Sequence, residues 1–265
     1  MARYVATLAY DGTAYYGFQR QQTHLPTIQL VVETSISTIA RQNISIIGAG
    51  RTDTGVHAVG QVIAFDLDWK HTDTALLLAI NSQLPADIAL QRIWQQDGFH
   101  PRYDALSRQY VYTVACLTTR NPLLNRQAWQ LFGDSLDIDV MQRAAEQLIG
   151  KHDFGAFGTP PQIGSTNTVR EVFLSQWVKV SSDFGDIYTY RICATAFLYH
   201  MVRRIVGTLV QVGRKKLTLD DFAAVVASRD IQNAKLLAPP QGLVFEAVRY
   251  PQHKTATPIA TETSD

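Results

Sequence analysis

The feature that most restricts the fold of this chain is an order of strand-like and helix-like segments that runs through it twice. RYVATLAY (3–10) has the alternation and β-branched content of a strand, and TIQLVVETSISTIARQ (27–42) carries apolar residues at helical spacing. ISIIGA (44–49) and GQVIAFDL (60–67) read as strands. TDTALLLAINSQL (72–84) reads as a helix capped by Thr72 or Asp73 and stopped before Pro85, and DIALQRIWQQ (87–96) as a strand. The order is β-α-β-β-α-β. From residue 108 it repeats, opening on the strand RQYVYTVAC (108–116) and the amphipathic helix DIDVMQRAAEQLIG (137–150). The strands VREVFLSQWVKV (169–180) and IYTYRICATAF (187–197) follow, joined through the turn SSDFGD (181–186). FLYHMVRRIVGTLVQVG (197–213) is the strongest helical pattern in the chain, followed by LDDFAAVVAS (219–228) and a closing strand, GLVFEAVRY (242–250).

Two such runs predict an α+β fold of two ferredoxin-like βαββαβ units with mainly antiparallel sheets, residues 1–104 and 105–252, meeting at a central cleft suited to a substrate. No linker rich in Pro, Gly or Ser separates them. The 265 residues, 46% of them hydrophobic, are enough to build both cores. The remaining stretch, 253–265, is small, polar and unpatterned, and is expected to lack order. No signal-peptide pattern opens the chain and no apolar run reaches the ~18 residues of a membrane span, so a soluble, cytoplasmic protein is expected. Cys116 and Cys193 lie in apolar strand-like runs and read as buried thiols. A net charge of +1 makes no global case for a polyanionic partner, so any basic footprint has to be local.

Against that frame, GAGRTDTGVHA (48–58) stands out. Asp53 lies among Gly48, Gly50 and Gly55, with Arg51 before it and His57 after it, in a β-β connection of the first unit. Glycine-shaped backbone of this kind presents a side chain rather than filling a core. The plainer alternative is a turn Asp bonded to its own loop. In a closed cleft a carboxylate needs a cation beside it. The helix from residue 197 offers a candidate: Arg203 and Tyr199 fall at the edge of its apolar face, where an arginine either directs its guanidinium into a groove or simply snorkels to the surface. Arg204, Arg214, Lys215 and Lys216 have no acidic neighbour among them and form a local basic patch, suited to phosphates or else a solvated helix end. Tyr110 and Tyr112 share one strand face, as core or as a stacking platform for a flipped base.

Two other chemistries are set aside. His57, His100, His152 and His200 lack metal-ligand spacing, so no metal site is expected. The D-T-G at 53–55 evokes aspartic peptidases, which need two aspartates sharing a proton. The other D-T, Asp73-Thr74, is followed by Ala75 and starts a helix. A homodimeric one-motif peptidase is short and all-β, and Arg51 would hold such a dyad ionised.

GRTDTGVHA (50–58) resembles the catalytic motif of the tRNA pseudouridine synthase A family. The likeness continues in order through YDGTAYYGFQRQ (10–21), INSQLPADI (80–88), FHPRYDALSRQYVY (99–112), HDFGAF (152–157), FLYHMVRRIVGTLVQVG (197–213) and APPQGLVFEAVRYP (238–251). One departure is in TIQLVVE (27–33), where Leu30 follows Gln29 in place of the family's usual glycine; it bears on the first helix rather than on catalysis. The resemblance implies the pseudouridine synthase fold and isomerisation of uridine to pseudouridine at positions 38 to 40 of the tRNA anticodon stem-loop. It also implies no cofactor or metal, and a homodimer whose tRNA spans both subunits. The family's essential aspartate falls on Asp53, its base-stacking tyrosine on Tyr110 and the arginine paired with the aspartate on Arg203. Arg51 is expected to hold the sugar-phosphate or fill the gap left by the flipped nucleotide, and His57 to join it in binding substrate. A non-catalytic tRNA-binding or chaperone protein on the same scaffold is the alternative, which Asp53→Asn would separate from the enzyme.

Overall fold

The computed structural model describes residues 1–22, 25–133, 135–160 and 167–254. Its first half comprises β1 (Ala2–Tyr10), α1 (Ile28–Ala40), β2 (Ile47–Gly48), β3 (His57–Leu67), α2 (Asp73–Gln83) and β4 (Ile88–Gln95). Its second half opens with β5 (Ser107–Leu117), β6 (Trp129–Phe132), α3 (Ile138–Glu146) and β7 (Gly150–Asp153). It continues with β8 (Val169–Ser182), β9 (Gly185–Ala194), α4 (Met201–Gly213), α5 (Leu219–Ser228) and β10 (Leu243–Arg249).

All the strands join one sheet, ordered β4-β1-β3-β10-β5-β9-β8-β7, with β2 on β3 and β6 on β5. Within it, the first βαββαβ run lies as β4-β1-β3-β2 and the second as β10-β5-β9-β8. Both are the fourth-first-third-second arrangement of a ferredoxin-like sheet, antiparallel throughout. The halves meet through a short parallel pairing of β10 with β3, Val244 opposite His57 and Phe245 opposite Ala58. β2 pairs farther along β3, Ile47 opposite Ala64 and Gly48 opposite Ile63. β2 and β10 therefore divide β3 between them, and the connection 49–56 emerges where the two halves join.

The helices share one apolar core with the sheet. Tyr4, Ala6 and Leu8 of β1 meet Val32 and Ile36 of α1 and Leu76 and Ile80 of α2 in the same cluster as Tyr188 and Tyr190 of β9, Leu209 of α4 and Phe222 of α5. Val5, between Tyr4 and Ala6, belongs to a separate cluster with Val62, Ala64 and Phe99, as period-two alternation requires. The helix ends use local chemistry: Thr27, Thr72 and Asp137 accept backbone N–H bonds as N-caps, and Thr218 forms a capping box with Asp221. Leu30 sits in the first turn of α1, its N–H on Thr27 Oγ1 at 3.3 Å.

Several boundaries differ from the sequence expectation. The helix expected over 197–213 begins at Met201, because His200 is left-handed (φ 65°) and Tyr199 forms a bridge with Thr159. The helix expected over 137–150 ends at Glu146, and Gly150, at φ 100°, opens β7 instead. β6 and β7 are four residues each, too short for alternation to register. Gln252–Lys254 forms a 3-10 turn, and 255–265, most of the stretch expected to lack order, lies outside the described residues.

Candidate active site

The loop bearing Asp53 is held from beneath by its own chain. Ala49 N–H donates to Val62 O (2.9 Å) and Gln61 Nε2 to Gly50 O (3.0 Å), so β3 grips the loop as it leaves β2. The 12–18 segment holds the other side: Phe18 N–H donates to Thr52 O (3.0 Å), and the buried Tyr10 hydroxyl, its pKa pushed up to about 12 by burial, bonds Thr52 Oγ1 (2.8 Å). Gly17 permits this approach. Its φ is +83°, and a Cβ there would stand 2.7 Å from Thr52 O. A turn then closes through Val56 N–H on Asp53 O (3.1 Å), with Gly55 at φ +76°. Asp53 is thus presented on backbone fixed on both flanks.

Its carboxylate meets the start of α4. Arg203 Nη1 donates to Asp53 Oδ2 at 3.0 Å, and His200 Nε2 stands 3.4 Å from the same oxygen. Arg203 is buried, its Nε donating to Ala238 O (2.8 Å), while its own carbonyl accepts from Ala238 N–H (3.1 Å). The guanidinium is therefore locked in orientation. The positive end of the α4 dipole favours an anion here as well. Burial holds the His200 imidazole below its ordinary 6.5; Arg203 and Arg204 push the same way and Asp53 opposes them.

Asp53 lies in a cavity of about 870 Å³. Arg20, Arg51, Arg102, Arg108, Arg170 and Arg203 all line it, and Asp53 is the single carboxylate among the described lining residues. The near-neutral total charge conceals this concentration of arginines, which suits a polyanionic ligand. Arg20 is paired with the buried Glu33 (2.9 Å), and Arg108 spends its donors on backbone carbonyls. Arg51 is exposed. Tyr110 closes the cavity wall, held edge-on by Phe197 (ring centroids 5.0 Å apart) and Phe245 (4.8 Å). It is mostly buried, and burial drives its hydroxyl pKa well above the usual tyrosine value. Tyr112, on the same strand face, is core, its hydroxyl donating to Pro239 O (2.7 Å).

The structure brings Asp53, Arg203, Arg51 and Tyr110 together around one cavity. His57 stands elsewhere: it is buried, its Nδ1 accepts from Gly12 N–H (3.1 Å), and it is absent from the described cavity lining. It braces the segment that braces the loop. The expected basic patch is also divided. Arg204 donates to Ala234 O (2.8 Å). Arg214 lies over the Trp129 ring (6.0 Å), and Lys215 is 3.6 Å from Asp137. Together with the exposed Lys216, these two follow the far end of α4, about 16 Å along the axis from Arg204 at the usual rise. None of the four lines the cavity among its described residues.

His200, Phe197, Phe245 and the Ala238 carbonyl are parts of the site that sequence reasoning passed over. The sequence raises His200 only as a metal ligand, and no local pattern marks a left-handed histidine ahead of a helix. Among the described residues no three of His, Cys, Asp and Glu converge in a metal-ligating group. No described helix is long and apolar enough to cross a membrane. Both cysteines are buried and free of disulfides.

A family model described as tRNA pseudouridine synthase matches residues 6–104 and 144–251. A relative described as tRNA pseudouridine synthase A, from Neisseria gonorrhoeae (strain NCCP11945), is 37% identical over 94% of this chain and 92% of its own length. One of the same description from Myxococcus xanthus is 38% identical over the same shares. A third, from Chloroflexus aurantiacus (strain ATCC 29366 / DSM 635 / J-10-fl), is 39% identical over 92% of this chain and 87% of the relative.

Proposed function

Since this chain belongs to the tRNA pseudouridine synthase family and is an isomerase of that class, we propose that its substrate uridines are those at positions 38 to 40 of the tRNA anticodon stem-loop and that Asp53 is the catalytic residue. The observation that carries this is the 3.0 Å pair of Arg203 with Asp53, the single carboxylate among the described residues of a cavity that six arginines help to line.

The reaction breaks the C1′–N1 bond, turns the uracil and joins C5 to C1′. C5 gives up its proton and N1 gains one, so the product is an isomer. Asp53 can enter as nucleophile at C1′ or C6, or as the base of a glycal route. Each route needs the carboxylate held in one orientation, and Arg203, fixed by Ala238, holds it there. His200 stands at the same oxygen and positions it. Tyr110, wedged between Phe197 and Phe245, offers the flipped base a wall that cannot turn away. Arg51 holds the sugar-phosphate at the mouth. Family resemblance further supports a cytoplasmic homodimer whose tRNA spans both subunits, without a cofactor.

The test is tritium release from tRNA labelled at uridine C5, since that hydrogen leaves only when the base is rejoined through C5. Wild type should release tritium, and Asp53→Asn should not, while still binding the tRNA. An active Asp53→Asn would remove Asp53 from the chemistry. Binding without release by wild type would leave a tRNA-binding protein.

A further inference from the structure

The cavity that holds Asp53 extends to a second aromatic feature that the reaction does not use. His100, Arg102 and Tyr103 line it, and Tyr103 is 74% exposed. An exposed tyrosine alone means little. This one is carried on a turn with far more bonds than a surface loop needs. Asp104 Oδ2 accepts from His100 N–H (2.8 Å), His100 O accepts from Asp104 N–H (3.1 Å), and His100 Nδ1 faces the N–H groups of Arg102 and Tyr103 (3.2 Å each). Bonds from outside hold it too. The Tyr250 hydroxyl donates to Pro101 O (2.8 Å), Arg108 donates to the carbonyls of Arg102 and Ala105, and Lys254 pairs with Asp104 (2.7 Å).

The ring itself is also backed. The His100 imidazole stacks against Tyr103 with centroids 4.2 Å apart and planes 29° from parallel. The Arg102 guanidinium stands 5.9 Å from the ring centroid. Tyr103 is thus stacked by His100 and has the Arg102 cation over its ring, and it still remains largely exposed. Ordering an aromatic side chain normally takes back part of what stacking gains, and here that ordering is already done. A flat π-face with an adjacent guanidinium fits one ligand chemistry above others: an unpaired nucleobase with its phosphate.

We propose that the His100–Asp104 turn is a second base-binding site, in which Tyr103 stacks an unpaired nucleotide of the bound RNA while the target uridine occupies the Asp53 end of the cavity. The proposal rests on the reading that this chain acts on tRNA, and it adds a specificity contact to that reading. A loop nucleotide near the target is the expected occupant, because a base inside a stem has no free face to offer.

The experiment measures binding of an unmodified tRNA transcript by fluorescence anisotropy, with tritium release run beside it. Tyr103→Ala should weaken binding about tenfold, the scale of one lost base-aromatic stack, and Tyr103→Phe should restore it to within about twofold. Transcripts carrying single abasic sites around the anticodon loop then locate the partner. At one nucleotide the abasic change should weaken wild type but add nothing to Tyr103→Ala. Equal binding by wild type and Tyr103→Ala would overturn the proposal. A Tyr103→Phe variant as weak as Tyr103→Ala, or a loss coupled to no nucleotide, would also overturn it and reassign Tyr103 to structure or protein contact. Absence of tritium release by wild type, with the binding pattern intact, would instead sink the isomerase reading and leave the platform standing.

Discussion

Removing Arg203 isolates the interaction on which the site is built. The perturbation is a double-mutant cycle with Asp53→Asn and Arg203→Met, methionine retaining an unbranched apolar stem. At the 3.0 Å separation, with an effective dielectric of ~20, Coulomb's law gives a gross attraction of about 5.5 kcal/mol. Both side chains are mostly shielded, 11% and 21% exposed, so desolvation takes back a large part of that attraction. A net coupling of about 2 kcal/mol is expected, within the ~0.5–3 kcal/mol range of contacting residues. Arg203→Met also strips the donor from the carbonyl of the fully buried Ala238, which costs about 1–2 kcal/mol more. The single Arg203→Met substitution should therefore destabilise by about 3–4 kcal/mol, and the double variant should be about 2 kcal/mol more stable than the two single losses summed. Urea denaturation at pH 7 measures all four corners and needs no activity. A coupling within about 0.5 kcal/mol of zero would refute the reasoning, because the guanidinium would then be held by the Ala238 carbonyl rather than by Asp53.

Four further outcomes follow from the same geometry. His200→Asn should be more stable than His200→Ala by about 1 kcal/mol in thermal melts, since asparagine tolerates φ 65° and alanine does not. The His200 imidazole is held below 6.5 by burial and by Arg203 and Arg204, against Asp53, so the unfolded chain takes up its proton first. That contribution to stability is present above pH 6.5 and is lost as pH falls toward the folded value; His200→Asn should flatten this part of the curve, and parallel curves would contradict it. Gly17→Ala combines a left-handed φ with a clash on Thr52 O, and should cost about 2–4 kcal/mol in urea and abolish tritium release by shifting the loop next to Asp53. The logarithm of the affinity for tRNA should fall linearly with the logarithm of salt concentration, and Arg51→Ala should reduce the slope by about 1, as for one lost phosphate contact. An unchanged slope would place Arg51 away from the RNA backbone.

The sequence alone determined the order of elements and the loop that carries Asp53. Alternation in 3–10 and 108–116 and helical spacing in 27–42 and 197–213 mark which faces are buried, and burial is a local demand that each segment states for itself. The same holds for GRTDTGVHA, whose glycines announce unusual backbone without any partner in view. Periodicity is silent on short strands such as β6 and β7, and it ran past His200 because four residues in register with a helix say nothing about a left-handed φ.

What each exposed or buried group faces is a different question, and only the tertiary structure decided it. Arg203 is 150 positions from Asp53 and reaches it because β10 joins β3 where the 49–56 connection emerges. His57, at the start of β3, points into the 12–18 segment, while Arg204 and the 214–216 cluster went to a neighbouring carbonyl and to the other end of α4. The cavity's six arginines come from segments scattered over residues 20 to 203, so no window of the chain contains the charge that the folded cleft presents. Electrostatic contact depends on distances of a few ångströms across the sheet, and those distances exist only once the two halves have closed on each other.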